Sequence, residues 1–380
     1  MKGKRIILRV LPPGVCLVCL LVLGLLIRGD RAMTAELTAQ NAANRWQTPS
    51  SPCAMASVFL PAGQALPETR LGEIYLNVDK ALKDAGVGDR NWYLAASRQT
   101  EGVLRNGDAA ARTELFAVTG DFFLAHPMPL RYGVYPDEKD VMHDRIVLDR
   151  AAAWALFYGD NVAGQYVELN GAALLVAAVV DMEPGRDSAL ARGDGCHAWV
   201  LSDCPALSDR GSGFTCLEAV LPQPVRDFTA GTLTKALGDL LPEGMAVTDN
   251  SGRFSLKNRW NALRNLAVRS LGTADLPYWE RAARLTETRL AIRLIPEGLL
   301  LAVAVLELLA QLLWWNSRRT WGLHSLKEKA EEAVDWKRRR DWDRRMDTAK
   351  KGERHEEELE TPAGAAAGGS PLSGTDRLRR

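Results

Sequence analysis

The side chains best suited to chemistry between positions 29 and 290 are four cysteines and three histidines. Cys53, Cys196, Cys204 and Cys216 form an even set. In an oxidising compartment an even set points to disulfides, and four thiols admit three pairings. Cys196, Cys204 and Cys216 crowd into a Gly/Asp/Ser-rich stretch, so a local bridge between two of them is expected, with free thiols as the other outcome. A metal on Cys196, His197 and Cys204 is the sharper alternative, but their spacing matches no tetrahedral zinc pattern. His126, His143 and His197 fall in no G-x-S-x-G or H-E-x-x-H motif. Asp137, Glu138, Asp140, His143 and Asp144 read as a solvated loop between strand and turn, with a cation site as the sharper alternative. His126, followed by Pro127, reads as a turn or packing residue. No paired-carboxylate spacing suggests a glycosidase. The chain is therefore expected to be no enzyme, with no catalytic residue, metal or cofactor.

Two apolar runs must position whatever the middle of the chain carries. The first, Val10 to Ile27, holds 18 residues without a charge. About 20 helical residues cross a hydrocarbon core of roughly 30 Å. Lys2, Lys4, Arg5 and Arg9 precede it with no acidic residue. No small-x-small cleavage site follows closely, so an uncleaved anchor with its N-terminus inside is expected rather than a signal peptide. Cys16 and Cys19 within it read as lipid-facing or packed thiols. The second run, Leu294 to Trp315, contains Pro296, Glu297, Glu307 and Gln311 among Leu, Ala and Val. Trp314 and Trp315 suit an interfacial belt, and Arg318, Arg319 and Lys327 beyond them favour a cytoplasmic C-terminus. Arg289 and Arg293 on the other flank weaken that asymmetry, so the basic N-terminus decides. Glu307 lies mid-run, where a charge is costly, and reads as an intramembrane contact or a tolerated neutral acid.

The chain has 48 basic and 47 acidic residues, so it carries no overall footprint for nucleic acid. Residues 29–56 read as an irregular linker. Leu71, Ile74, Val78 and Leu82 predict an amphipathic helix over Pro67–Ala85. Strands are predicted over 91–97, 113–119, 145–148, 198–202 and 215–221, and helices over 150–158, 227–240, 256–271 and 277–293. Gln165–Leu169 and Ala172–Val180 flank Asn170-Gly171, the strongest two-residue hairpin signal.

Residues 115–180 resemble the periplasmic core domain of MacB-type ABC exporter permeases, within the broader FtsX-like group. Phe116-Ala117-Val118-Thr119-Gly120-Asp121-Phe122-Phe123 resembles that family's strand followed by paired phenylalanines. Pro129-Leu130-Arg131-Tyr132-Gly133 is similar to its "PLLxG" turn. Asp144 to Asp149 followed by Ala153 to Asp160 is similar to its strand–helix unit ending in "LFG", with Tyr158 intruding before the glycine. Val162 to Val180 is similar to its closing hairpin. The resemblance implies an exterior domain between the first and second membrane helices, binding a partner or substrate and following motions driven by ATP hydrolysis inside the cell. No G-x-x-x-x-G-K-[ST] loop occurs in this sequence, so the ATPase would be a separate partner. The family's third and fourth helices are not found either, which implies a second membrane subunit or a homo-oligomer.

The expected fold class is α+β. A cytoplasmic N-terminus (1–9) leads into a transmembrane helix (10–28). An extracytoplasmic domain (29–290) of two subdomains follows, the inserted one spanning roughly 125–215. A second transmembrane helix (294–316) leads to a charged cytoplasmic helix (317–360) and a disordered tail (361–380). Arg338, Arg339, Arg340, Arg344 and Arg345 are the candidate docking residues of that helix, for an ATPase or for anionic lipid. The expected function is a non-catalytic permease-like subunit of an ABC-type export or mechanotransmission complex in the plasma membrane. A stand-alone membrane-anchored sensor or binding protein is the second reading.

Overall fold

The computed structural model describes residues 2–61, 63–137, 139–140, 142–241, 247–266, 276–318 and 323–359. The expected disordered tail at 361–380, and Glu138 of the acidic loop, lie outside them. Residues 1–306 form one compact unit and 307–380 a second. The first unit opens with helix α1 (Lys2–Ala35), followed by α2 (Ala42–Trp46), β1 (Cys53–Phe59), α3 (Leu71–Asp84), β2 (Tyr93–Asn106) and β3 (Ala109–Gly120). Next come α4 (Phe122–Ala125), β4 (Leu130–Gly133), β5 (Arg145–Asp149), α5 (Arg150–Phe157), β6 (Tyr166–Leu169) and β7 (Ala172–Val180). Then follow α6 (Arg186–Arg192), β8 (Cys196–Leu201), β9 (Cys216–Pro222), α7 (Phe228–Leu237), β10 (Thr248–Asp249) and α8 (Leu256–Arg264). Helix α9 (Tyr278–Arg318) runs on into the second unit, which also holds α10 (Leu323–Leu359).

Among the described residues the ten strands form one sheet in the order β10-β1-β9-β2-β3-β8-β5-β7-β4, with β6 bridging β2 and β7. Pairing is antiparallel except between β3 and β8 and between β5 and β7. The strands of segment 130–201 occupy one half of this sheet and the remainder the other, with hydrogen bonding unbroken between them. Side chains alternate across the pleat. On β3, Leu115 and Ala117 join a core under α5, whereas Phe116 and Val118 join a core on the opposite face with Tyr278 and Trp279. A third core under α3 and α7 lies on the α5 face, because Ala96 pairs with Thr119, which shares the parity of Leu115 and Ala117. Helices thus cover both faces of the sheet.

Several local forms follow directly from the sequence. Asn170 and Gly171 take positive φ of 53° and 83°, closing the β6–β7 hairpin. Gly133 is required sterically, since a Cβ there would lie 2.0 Å from the Ala177 carbonyl oxygen. Asp149 caps α5 by accepting from the Ala152 N–H at 2.6 Å, and its other oxygen meets His197 Nδ1 at 3.0 Å.

Residues 29–56 depart from the expected linker, because α1 extends to Ala35 and β1 begins at Cys53. From Ala54 onward every β1 residue is buried on both faces, so its pattern shows none of the alternation that marks a half-buried strand. Helix α8 ends at Arg264, and the last expected residues, 267–271, lie outside the described ones. Two helices are long and apolar enough to cross a membrane, over Pro13–Ala35 and within Tyr278–Ser317. Helix α9 has 41 residues with Pro296 inside it, about 60 Å of rod, twice what a hydrocarbon core needs.

Asp149 serves a helix cap and a fully buried imidazole at once, which gives a graded outcome. Asp149→Ala should cost about 2–4 kcal/mol by losing the cap and orphaning His197, and Asp149→Asn clearly less. Thermal melting of the detergent-solubilised protein checks the order.

Candidate functional site

A set of buried charges lies where α1, α8 and α9 meet. Asp30 follows the first apolar run, Arg293 and Glu297 flank the start of the second, and Arg259 projects from α8. Arg259 contacts Asp30 at 2.7 Å and Glu297 at 3.0 Å, and Arg293 contacts Asp30 at 3.0 Å. Arg259 also donates to the Leu290 carbonyl at 3.0 Å, and Arg293 to that of Leu26 at 3.3 Å. Two cations and two anions therefore balance in a cluster where Asp30 and Glu297 are under one-tenth exposed. Deeper in the apolar runs, Cys16 Sγ approaches the Ala304 carbonyl at 3.8 Å, so α1 and α9 remain in contact there.

A second tier sits above this clasp. Arg253 donates through both terminal nitrogens to Glu280, at 2.6 and 2.8 Å, through Nε to Glu287 at 2.6 Å, and to Gln40 at 3.3 Å. Burial alone would lower the guanidinium pKa, but Glu280 and Glu287 outweigh it and hold it above its ordinary value. From the α6 side, Asp187 accepts from Thr286 at 2.9 Å and meets Arg289 at 2.7 Å. Glu183 accepts from the Ala39 N–H and the Thr38 hydroxyl, both at 2.6 Å, which fastens the chain just after α1. The third tier is aromatic. Trp279 lies 5.4 Å from Phe116, 5.7 Å from Phe122 and 4.7 Å from His126, centre to centre. Helix α9 is thus fixed to the sheet, to α8 and to α1 at successive levels.

The other buried polar group centres on Glu218. Its Oε2 meets His126 Nε2 at 2.5 Å, Ser57 donates to Oε1 at 2.9 Å, and Asn250 donates to the Ser57 oxygen at 2.7 Å. The acid stands between serine and imidazole, and all four side chains are buried. A nucleophile needs its base at the hydroxyl and a route for substrate, so this arrangement suits support of the core. Burial alone would raise the Glu218 carboxyl. The charge and hydrogen bond of His126, with the bonds of Ser57 and Cys216, outweigh it and leave the pKa below its ordinary 4.5.

The sequence-predicted residues are dispersed. Cys53, Cys196, Cys204 and Cys216 are free thiols, which corrects the expected bridge, and strand register gives the reason. Cys216 pairs with Ser97, Ser97 with Val118, and Val118 with Leu201. Cys204, whose N–H donates to the Leu201 carbonyl, is therefore three strands from Cys216, about 14 Å. Cys196 lies at the far end of β8, about 17 Å from Leu201, and Cys53 lies about 20 Å along β1 from the level of Cys216. A disulfide needs Cα atoms within about 7 Å. In the acidic loop, Asp140 pairs with Arg145 at 2.9 Å and His143 with Asp203 at 2.5 Å. Among the described residues no three His, Cys, Asp or Glu side chains gather to hold a metal ion. His126 is a packing residue with a buried acid partner. Glu307 is half-buried on α9. Arg338, Arg339, Arg340, Arg344 and Arg345 are exposed on α10, where the Arg340 guanidinium lies 4.9 Å over the Trp336 ring.

Asp30, Arg253, Arg259, Glu280 and Glu287 were not singled out by sequence. The available signal was a lone acid immediately after one apolar run and a basic–acidic pair, Arg293 and Glu297, bracketing the start of the other. Arg289 and Arg293, on the N-terminal flank of the second apolar run, each hold a carboxylate.

A scan against protein-family models gives no match, and a search of curated proteins gives none either. Among solved structures, the chain is similar to the periplasmic region of MacB from Actinobacillus actinomycetemcomitans, with 15% identity and a TM-score of 0.39 over 58% of this chain and 94% of that one. It is also similar to the extracellular domain of the noncanonic ABC-type transporter YknZ from Gram-positive bacteria, with 12% identity and a TM-score of 0.36 over 52% and 98%. A domain of a putative permease protein from Porphyromonas gingivalis aligns with 14% identity and a TM-score of 0.32 over 52% and 88%.

Two predictions concern the buried charges. Arg259→Ala leaves Asp30 and Glu297 without their shared cation and should cost about 3–5 kcal/mol, read as a fall in melting temperature, whereas Arg259→Lys should recover part of it. For Glu218, a depressed folded-state pKa means a contribution that is full above about 4.5 and is lost as pH falls through the lower value. Melting temperature should therefore drop on acidification below about pH 4.5, and Glu218→Gln should flatten that acid limb while lowering stability at neutral pH.

Proposed function

We propose that this chain is a non-catalytic, permease-like membrane subunit of an ABC-type export or mechanotransmission complex. In this reading α1 and α9 cross the plasma membrane over 10–28 and 294–316, both termini are cytoplasmic, and residues 29–290 stand outside. The observation that carries it is the unbroken continuation of α9 from an apolar run into the core of the domain, fastened by the Asp30–Arg259–Arg293–Glu297 clasp, by Arg253 and by Trp279. A rod held in this way would convey a shift of the membrane helices to the sheet. Lys2, Lys4, Arg5 and Arg9 precede the first span with no acidic residue among them in the sequence, which supports the orientation.

The work of such a subunit comes from elsewhere. The sequence has no phosphate-binding loop, and its buried polar groups suit support rather than turnover, so the partner would be an ABC ATPase together with a second membrane subunit or a second copy of this chain. The exterior domain would bind the partner or substrate. Arg338–Arg340, Arg344 and Arg345 on the charged α10 are the proposed cytoplasmic contact.

Solubilisation in mild detergent followed by affinity purification should recover an ATPase with the full chain. Charge reversal of Arg338, Arg339 and Arg340 together should reduce that recovery severalfold. A lone monomer that retains the sheet would overturn the complex and favour a sensor. Protease added to intact cells should cut within 29–290 and spare both ends.

A further inference from the structure

Helix α8 has two unlike sides. One is fixed to the protein, with Ala262 buried, Arg259 in the ionic clasp, and the preceding Phe254 packed against Leu37 and Ala282. Ser255 caps the helix by accepting from the Asn258 N–H at 3.4 Å. Residues advance about 100° each around a helix, so Trp260, Arg264 and Lys257 fall about 40°, 80° and 100° from Leu256, with Ala262 about 240° away. Leu256 is 69% exposed and Trp260 55% exposed, and Lys257 and Arg264 are exposed beside them. The free side therefore carries an apolar pair, Leu256 and Trp260, interleaved with two cations, Arg264 and Lys257.

The depth of this helix is fixed by its partners. Arg259 reaches Asp30, two residues past the first proposed span, and Glu297, in the first turn of the second. A guanidinium at that level stands where the hydrocarbon gives way to headgroups. An exposed Leu–Trp pair with a flanking Lys and Arg at this depth matches what the interface selects. Indole prefers the headgroup level, Leu the acyl boundary, and cations the lipid phosphates.

We propose that α8 is a lipid-contacting interfacial helix, with Leu256 and Trp260 seated in the outer headgroup region and Lys257 and Arg264 against lipid phosphates. This rests on the reading of 10–28 and 294–316 as membrane spans. Through Arg259 the same helix grips both spans, so α8 would report the state of the bilayer surface to the clasp.

The test is lipid photo-crosslinking with benzoylphenylalanine placed in turn at 260, 303 and 154 of the full chain, in vesicles of phosphatidylcholine and phosphatidylglycerol. Position 303 lies within the proposed second span, and Trp154 lies on α5, across the sheet from α9. Lipid adducts at 260 should exceed those at 154 at least about threefold and approach those at 303. In a Lys257→Glu, Arg264→Glu background the yield at 260 should fall about twofold or more. Adducts at 303 with none above background at 260 would overturn the interfacial helix while leaving the spans intact. Absence of adducts at 303 would remove both.

Discussion

A carboxylate next to an apolar surface must be neutralised or it destabilises whatever holds it. Asp30 meets that constraint with two guanidinia from different elements, Arg259 of α8 and Arg293 of α9. Because the compensating charges come from parts of the chain more than 200 residues away, the ends of the fold are tied to one another by the need for neutrality. The arrangement is specific rather than adhesive. A hydrophobic contact tolerates sliding, but an ion cluster of two cations and two anions has one register.

The sheet extends that constraint. Phe116 on the face towards α9 and Leu115 on the opposite face belong to different cores, so β3 is a shared wall between the two layers of helices. Tyr278 and Trp279 close one of those cores from the first turn of α9. The same helix that carries charges at its middle thus begins as a hydrophobic plug. Removing it would open the aromatic cluster around Phe116 and Phe122.

Local elements were legible wherever a local rule governs them. The Asn170-Gly171 hairpin and the β5–α5 unit appear within a residue of their predicted bounds, and α3 ends within a residue of its predicted end but starts four residues late, because turn chemistry and periodicity act over short windows. β1 is not legible because a strand buried on both faces from Ala54 onward carries no alternation. The clasp was illegible for a different reason. Its members lie at 30, 259, 293 and 297, and nothing in a single sequence states that an arginine in a polar stretch will face an aspartate 229 positions earlier. The cysteines misled in the opposite direction, since proximity along the chain between Cys196 and Cys204 is cancelled by the length of a strand between them.

Pro296 gives α9 one soft point. A proline within a helix lacks the N–H that its preceding turn would use and presses against that turn's carbonyl, here that of Ile292. Arg293 and Glu297 stand on either side of this weakness, one turn apart, and both are tied to groups outside α9. The ion cluster therefore acts as a splint across a built-in joint. Opening it would leave the turn that proline weakens without the two outside ties that bracket it.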